Sequence, residues 1–471
     1  MQSTPKIGLL PLYLSLYDQT SPERRRGFDP MMATIVQSLE DAGIQVVQSG
    51  ICCVRSEFEA AVRLFEREEV ALIVTLHLAY SPSLESADAL VATKIPILML
   101  DTTMDYSFGP DVDRERIFYD HGIHGVQDLA SVLRRRSRDF KVVAGHVTES
   151  DVLERTKTIA LAAHAARRLR NTRALRIGAP FGGMGDFAVE DEVMAEALGI
   201  TVDQVTTEAL VARMADVSDA AIEEERARDL ARFDVEADEA THRRSLRVGL
   251  ALRRLLDEGG YAAFSMNFLA FESGKAGSVD TVPFLEASKA MARGIGYAGE
   301  GDVLTAALVG ALSATYGKTS FTEIFCPDWH GDSLFLSHMG EINPDIAAAK
   351  PRLVELDFPY TSALNPLIPA CGFGPGPATL VNLAPGPSEG FGLVVAEVDM
   401  LADTANPAMH QSIRGWMRPH GRFFTNSIAT FLERYSLCGG THHSALVYGH
   451  RTKEMEHFAE FAGLAGANTV S

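Results

Sequence analysis

Within the first 172 residues, short apolar runs at 7–12, 44–47, 71–76, 95–100 and 142–144 alternate with amphipathic stretches at 31–42, 57–68 and 126–136. No other feature constrains the fold so tightly. Strands of about five residues that alternate with helices of about ten or more need a crossover after each strand, and this predicts a parallel, doubly wound sheet. Ligands of such sheets bind beyond the carboxyl ends of the strands, which points to the loops after Leu12, Leu76 and Leu100. A long helical pattern over 151–169 leads to the polar break Arg170-Asn171-Thr172-Arg173, a first domain boundary.

A second α/β unit is expected over 173–320. It opens on an apolar run at 175–178 and a glycine-rich loop over 178–186, followed by acidic, alanine-rich helices within 208–257. A strand-like stretch at 262–268 and helices at 283–293 and 303–315 complete it. From about residue 321 to 471, Gly and Pro rise and short strand patterns appear at 379–383, 391–398 and 443–448. That texture predicts an antiparallel, barrel-like or sandwich domain. The expected fold class is therefore α/β: two doubly wound α/β domains, 1–172 and 173–320, then a C-terminal antiparallel β domain, 321–471.

A chain of 471 residues is too long for one core, in agreement with several domains. Its 43 Lys and Arg against 62 Asp and Glu leave a net charge of −19, which disfavours nucleic acid and anionic membranes as partners. The five cysteines have no zinc-ribbon spacing and fit a reducing compartment. With no signal-peptide pattern and no long apolar run, the expectation is a soluble cytoplasmic protein. Gly317-Lys318-Thr319 lacks the first glycine of a phosphate loop, the 178–185 loop is not GxGxxG, and GxSxG and HExxH are absent.

What remains is carboxylates and histidines in loop-like settings: Glu300, Glu323, His338 and His443. Two hard oxygen donors with two imidazoles suit an octahedral Mn²⁺, Mg²⁺ or Co²⁺ with positions open to substrate oxygens. Each residue also has a plainer reading. Asp302 reads as the N-cap of the following helix. Glu300, between two glycines, reads equally as an exposed turn carboxylate, and His338 and His443 as structural histidines. Glu323 among Phe321, Ile324 and Phe325 would be costly to bury without a cation. From the residues alone, the reading stops at a metal site in a multidomain α/β enzyme.

Four ordered segments resemble the L-arabinose isomerase family, within the wider group that includes L-fucose isomerase. Gly296-Tyr297-Ala298-Gly299-Glu300-Gly301-Asp302 with Thr305-Ala306-Ala307-Leu308 resembles its FAGEGDWKTAALL. Thr319-Ser320-Phe321-Thr322-Glu323 resembles TSFMED, Ser337-His338-Met339-Gly340-Glu341 resembles SHMLE, and Gly439-Gly440-Thr441-His442-His443-Ser444 resembles GGxHHT. Fainter similarities reach the first domain, at His77-Leu78-Ala79-Tyr80-Ser81-Pro82, His124-Gly125 and Val142-Val143-Ala144-Gly145-His146. Phe181-Gly182-Gly183-Met184 is similar to the family's FGDNMR loop.

The resemblance implies metal ligands at Glu300, Glu323, His338 and His443, with Glu300 and Glu323 as the catalytic acid/base pair. It implies substrate contacts from Met184 and His442, and from His124 donated by a neighbouring subunit. It further implies a Mn²⁺-type cofactor (or Mg²⁺ or Co²⁺), an open-chain sugar of the L-arabinose or D-galactose kind, an enediolate route, and a trimer or hexamer with interfacial sites. The departures fall on the sugar-recognising loops. The family's GSQHLYG becomes Pro11-Leu12-Tyr13-Leu14-Ser15-Leu16-Tyr17, the Lys of FSPAK becomes Leu84, and the Trp after GEGD becomes Val303. An epimerase or an isomerase of a modified sugar, and a sugar-binding protein on the same scaffold, are the alternatives.

Overall fold

The architecture is that of a computed structural model, which describes residues 4–274, 278–387, 390–421 and 427–470. The chain divides into two compact units, one closing at His164 and the other running on from Ala165.

The first unit holds strands β1 (Lys6–Leu12), β2 (Gln45–Gln48), β3 (Leu72–His77), β4 (Ile97–Asp101) and β5 (Lys141–Ala144) in one parallel sheet ordered β2-β1-β3-β4-β5. All six residues of β3, Leu-Ile-Val-Thr-Leu-His, are buried, as a strand covered on both faces requires. Helix Arg55–Arg67 shows how the crossovers pack. Phe58, Ala61, Val62 and Phe65 form its buried stripe, and Glu57 folds back to accept the Cys53 and Val54 N–H groups at 2.6 and 3.2 Å.

The second unit begins with a four-stranded parallel sheet. Its strands are β6 (Arg173–Ile177), β7 (Thr201–Val205), β9 (Ala263–Met266) and β10 (Gly296–Gly299), in the order β10-β9-β6-β7. The two-residue β8 (Asp234–Val235) pairs elsewhere. From Val303 to Ala314 every residue of helix Val303–Tyr316 is buried. Such an all-round apolar helix belongs in an interior, and this one packs against β9 and β10 and against two strands of the following domain, β11 (Thr319–Asp328) and β18 (His443–Tyr448).

That domain adds β12 (Ser333–Ser337), β13 (Arg352–Glu355), β14 (Leu367–Ala370), β15 (Gly376–Pro385), β16 (Phe391–Met400), β17 (Gly415–Pro419) and β19 (Ala467–Thr469). The order β15-β18-β11-β12-β17-β16 is closed by a ten-residue antiparallel ladder between β15 and β16, giving a six-stranded barrel with β19 parallel on the outer edge of β16. Closure removes the exposed edges an open sheet would carry. Leu336, Phe373, Leu380, Val394, Met417 and Leu446 fill its core. A small sheet, β14-β13-β8, packs through Leu353 and Leu367 against Ile222, Leu246 and Leu285 of the preceding helices. Helices Ser427–Leu437 and Thr452–Ala462 also lie in this half, beside the strands. All five cysteines are free. Among the described residues no helix is long and apolar enough to cross a membrane.

Candidate metal centre

Glu300 follows β10 directly, at the carboxyl end of a parallel strand, where α/β sheets place their ligands. Its side chain is buried rather than an exposed turn carboxylate, and its backbone is left-handed, φ +58°. The turn needs glycine on both sides. A Cβ on Gly299 would lie 3.0 Å from the His338 ring, and one on Gly301, at φ +90°, would lie 2.7 Å from Pro180 Cα.

Glu323 and the two histidines come from the barrel rim through strand register. Glu323 of β11 stands opposite His443 of β18 and opposite Ser337 of β12, the residue before His338. Cross-strand partners have neighbouring Cβ atoms, so one register brings three of the four residues together. The buried helix between β10 and β11 sets Glu300 against them. One ligand atom from each of Glu300, Glu323, His338 and His443 falls within 4.8 Å of all the others. His443 Nε2 is 2.9 Å from Glu323 Oε1 and 3.3 Å from Glu300 Oε2; His338 Nε2 is 3.6 and 3.5 Å from the same atoms.

Each imidazole is oriented from behind. His338 Nδ1 lies 2.5 Å from Glu341 Oε2, and Glu341 also accepts the Tyr297 hydroxyl and the Gly340 N–H. His443 Nδ1 lies 2.9 Å from Asp302 Oδ2, while Asp302 Oδ1 caps the helix by accepting the Thr305 N–H at 2.9 Å. The cap expected from the sequence is present, and the second oxygen has a further task. A carboxylate on Nδ1 fixes the tautomer that leaves Nε2 a lone pair facing inward, the arrangement usual behind metal-bound histidines. Phe321 meets both rings edge-on at 4.6 and 4.9 Å, and Phe187 stacks on His443 at 4.9 Å.

The electrostatics call for positive charge. Burial works to raise the Glu300 pKa, but His338 and His443 outweigh it and hold the carboxyl well below its usual range. Burial opposes protonation of His338 and of His443, yet Glu341 and Glu300 around the first, and Asp302, Glu300 and Glu323 around the second, drive both upward. Glu300 Oε2 and His443 Nε2 are nonetheless buried and, despite these short approaches, make no hydrogen bond of acceptable geometry. Inward-facing atoms outside hydrogen-bond geometry, among surplus carboxylates, fit a divalent cation.

The remaining expected residues lie in two places. His442 is partly exposed beside the cluster, its Nε2 3.9 Å from Glu323 Oε1, and both its N–H and its Nδ1 are bound to Asp186. Met184 is half-buried in the same 178–187 loop as Asp186. His124 belongs to the first unit, in the first turn of helix Ile123–Arg135, edge-on to His121. The sequence reading missed Asp186 and the supporting roles of Tyr297 and Glu341. Only Glu341 offered a signal, an acid three residues after a histidine.

Residues 179–316 match the L-arabinose isomerase central domain and 318–465 the L-arabinose isomerase C-terminal domain. An L-arabinose isomerase from a Nocardioides species is 30% identical over 413 residues, 84% of this chain and 79% of that one. L-arabinose isomerase 1 of Bacillus licheniformis is 28% identical across 89% of this chain and 84% of its own length. Among solved structures, a periplasmic solute binding protein from Actinobacillus succinogenes with bound D-allose covers 66% of this chain and 90% of that one at 12% identity. Its TM-score is 0.19, too low to carry an argument. Fold, site and relatives together define an enzyme of the isomerase class. The chain belongs to the L-arabinose isomerase family.

Proposed function

We propose that this protein is a metal-dependent aldose–ketose isomerase that acts on an open-chain sugar of the L-arabinose or D-galactose kind through an enediolate. The observation that carries this reading is the convergence of Glu300, Glu323, His338 and His443 within 4.8 Å, with inward atoms outside hydrogen-bond geometry. These four residues would hold Mn²⁺, Mg²⁺ or Co²⁺. Such an ion would supply Lewis acidity to the sugar's carbonyl and adjacent hydroxyl. Glu300 and Glu323 are the acid/base pair: one takes the C2 proton and returns it to C1, and the other carries the O2 hydroxyl proton to O1, so the ketose forms with no redox cofactor. Glu341 and Asp302 hold the imidazoles in register, and Phe321 and Phe187 keep water from the cluster. His442, fixed by Asp186, and Met184 contact the sugar. His124 serves a neighbouring subunit's site in a cytoplasmic homotrimer or homohexamer.

A panel of aldopentoses and aldohexoses, assayed for ketose with Mn²⁺, after EDTA and after Mn²⁺ is restored, tests the reading. Ketose from one sugar, lost and regained in that order, is expected. A product that keeps the aldehyde and inverts a carbon would replace isomerisation with epimerisation. Silence across the panel in metal-loaded protein would remove these sugars as substrates. Glu300→Gln and Glu323→Gln should each abolish turnover in folded protein, and substantial residual activity in either would end its catalytic assignment.

A further inference from the structure

The barrel carries a second convergence of metal-binding side chains, built from residues that the centre above does not use. Glu397 and Asp399 are two apart on β16, hence on one face of the strand, and both are partly exposed. Strand β17 pairs Pro419 with Val398 and so delivers His420 beside them; its N–H donates to the Glu397 carbonyl at 2.8 Å. His450 arrives from the other side, after β18. The two imidazole rings are 4.0 Å apart, centre to centre, at 48°.

The outer contacts again aim the lone pairs. His420 Nδ1 lies 2.7 Å from Asp399 Oδ2, so the tautomer that donates there keeps its lone pair on Nε2. His450 Nε2 lies 3.3 Å from the Val398 carbonyl and 3.5 Å from Asp399 Oδ1, so donation from that nitrogen leaves Nδ1 free, 3.9 Å from Glu397 Oε2. Glu397 Oε1 is occupied by the Thr452 N–H at 3.2 Å. One ligand atom from each of Glu397, His420 and His450 lies within 4.8 Å of the other two.

We propose that Glu397, His420 and His450 form a second divalent-metal site, with Asp399 positioning His420, and that the site takes an imidazole-seeking ion such as Zn²⁺. Two imidazoles and one carboxylate with an open solvent position are a three-ligand zinc set. That preference differs from the carboxylate-rich buried centre, which suits harder ions. Bound metal would tie the end of β17 and the turn after β18 to β16.

The test uses full-length, EDTA-stripped protein titrated with Zn²⁺, with metal counted per chain after desalting and melting followed in parallel. Glu300→Gln/His443→Ala protein should still bind one Zn²⁺ and melt higher with it. Adding His420→Ala and His450→Ala should remove both effects without changing the metal-free circular dichroism. Asp399→Asn should weaken this site by about tenfold or more. No Zn²⁺ in the Glu300→Gln/His443→Ala protein, or equal binding with and without His420 and His450, overturns the proposal. Wild type that binds metal only through His420 and His450 would instead refute the buried centre and leave this site standing.

Discussion

Glu300 holds φ at +58°, a conformation that a Cβ disfavours by about 1–3 kcal/mol. The cost is sustained by neighbouring bonds: Phe181 N–H donates to the Glu300 carbonyl at 2.8 Å and Asp302 N–H to that of Gly299 at 2.9 Å. Glu300→Gly removes both the strain and a buried carboxylate. The relief of strain is opposed by loss of the Glu300 interactions with His338 and His443 and by the chain entropy of glycine. We therefore expect the metal-free variant to be no more stable by urea titration and to have no turnover. A clearly more stable variant would show that backbone strain outweighs those interactions. Asp302 and Glu341 touch the far nitrogens of His443 and His338 rather than the converging atoms. Asp302→Asn and Glu341→Gln should each weaken Mn²⁺ binding by about 10–100-fold in a metal titration. Wild-type affinity in both would make these carboxylates purely structural.

The carboxyl ends of the strands in the two parallel sheets contrast sharply. After β10, Gly301 permits the turn that presents Glu300; Gly301→Ala places a methyl against Pro180 at an unfavourable φ. A loss of about 1–3 kcal/mol is expected, together with weaker metal binding. At the end of β3, His77 is buried with neither ring nitrogen hydrogen-bonded, and burial lowers its pKa from 6.5 to about 3. Between those two values the unfolded chain holds the proton more readily than the folded one. The neutral-His contribution is therefore complete above pH 6.5 and declines as the pH falls towards 3, at no more than about 1.4 kcal/mol per pH unit. His77→Phe should flatten the fall in urea midpoint between pH 7.5 and 5.5, and an unchanged slope would assign the acid sensitivity to other groups.

At the scale of the molecule, a centre assembled from β10, β11, β12 and β18 exists only when the parallel sheet and the barrel are both in place. Metal bound to the native state alone should stabilise it by about 2.7 kcal/mol at 100 times its Kd. EDTA should lower the melting temperature accordingly, and an indifferent melting curve would argue against bound metal. If His124 serves a neighbouring subunit, co-expressed Glu300→Gln and His124→Ala chains should regain activity that neither has alone, because some mixed sites would contain both wild-type residues. No recovery in verified mixed oligomers would place His124 outside the neighbour's site.

Much of this was legible along the chain. The three central strands of the first sheet, β1, β3 and β4, follow from long local apolar runs, because a strand covered on both faces must be apolar throughout, whereas the edge strands β2 and β5 show only short apolar pairs with exposed neighbours. The helix over 303–316 and its Asp302 cap were equally local. The four cluster residues were legible as types within short segments whose family resemblance is specific, but their histidines and carboxylates had equally plain structural readings. Helix Thr452–Ala462 has a regular buried stripe of Met455, Phe458, Ala459 and Ala462, yet the surrounding Gly- and Pro-rich texture obscured it. The sequence by itself determined the alternation of elements, the net charge and the donor types. Tertiary structure alone decided that β15 closes the barrel on β16, that Glu323 faces His443, and that Asp302 and Glu341 stand behind the imidazoles. These are pairings between residues remote in sequence, set by register and packing, and no local propensity encodes a register.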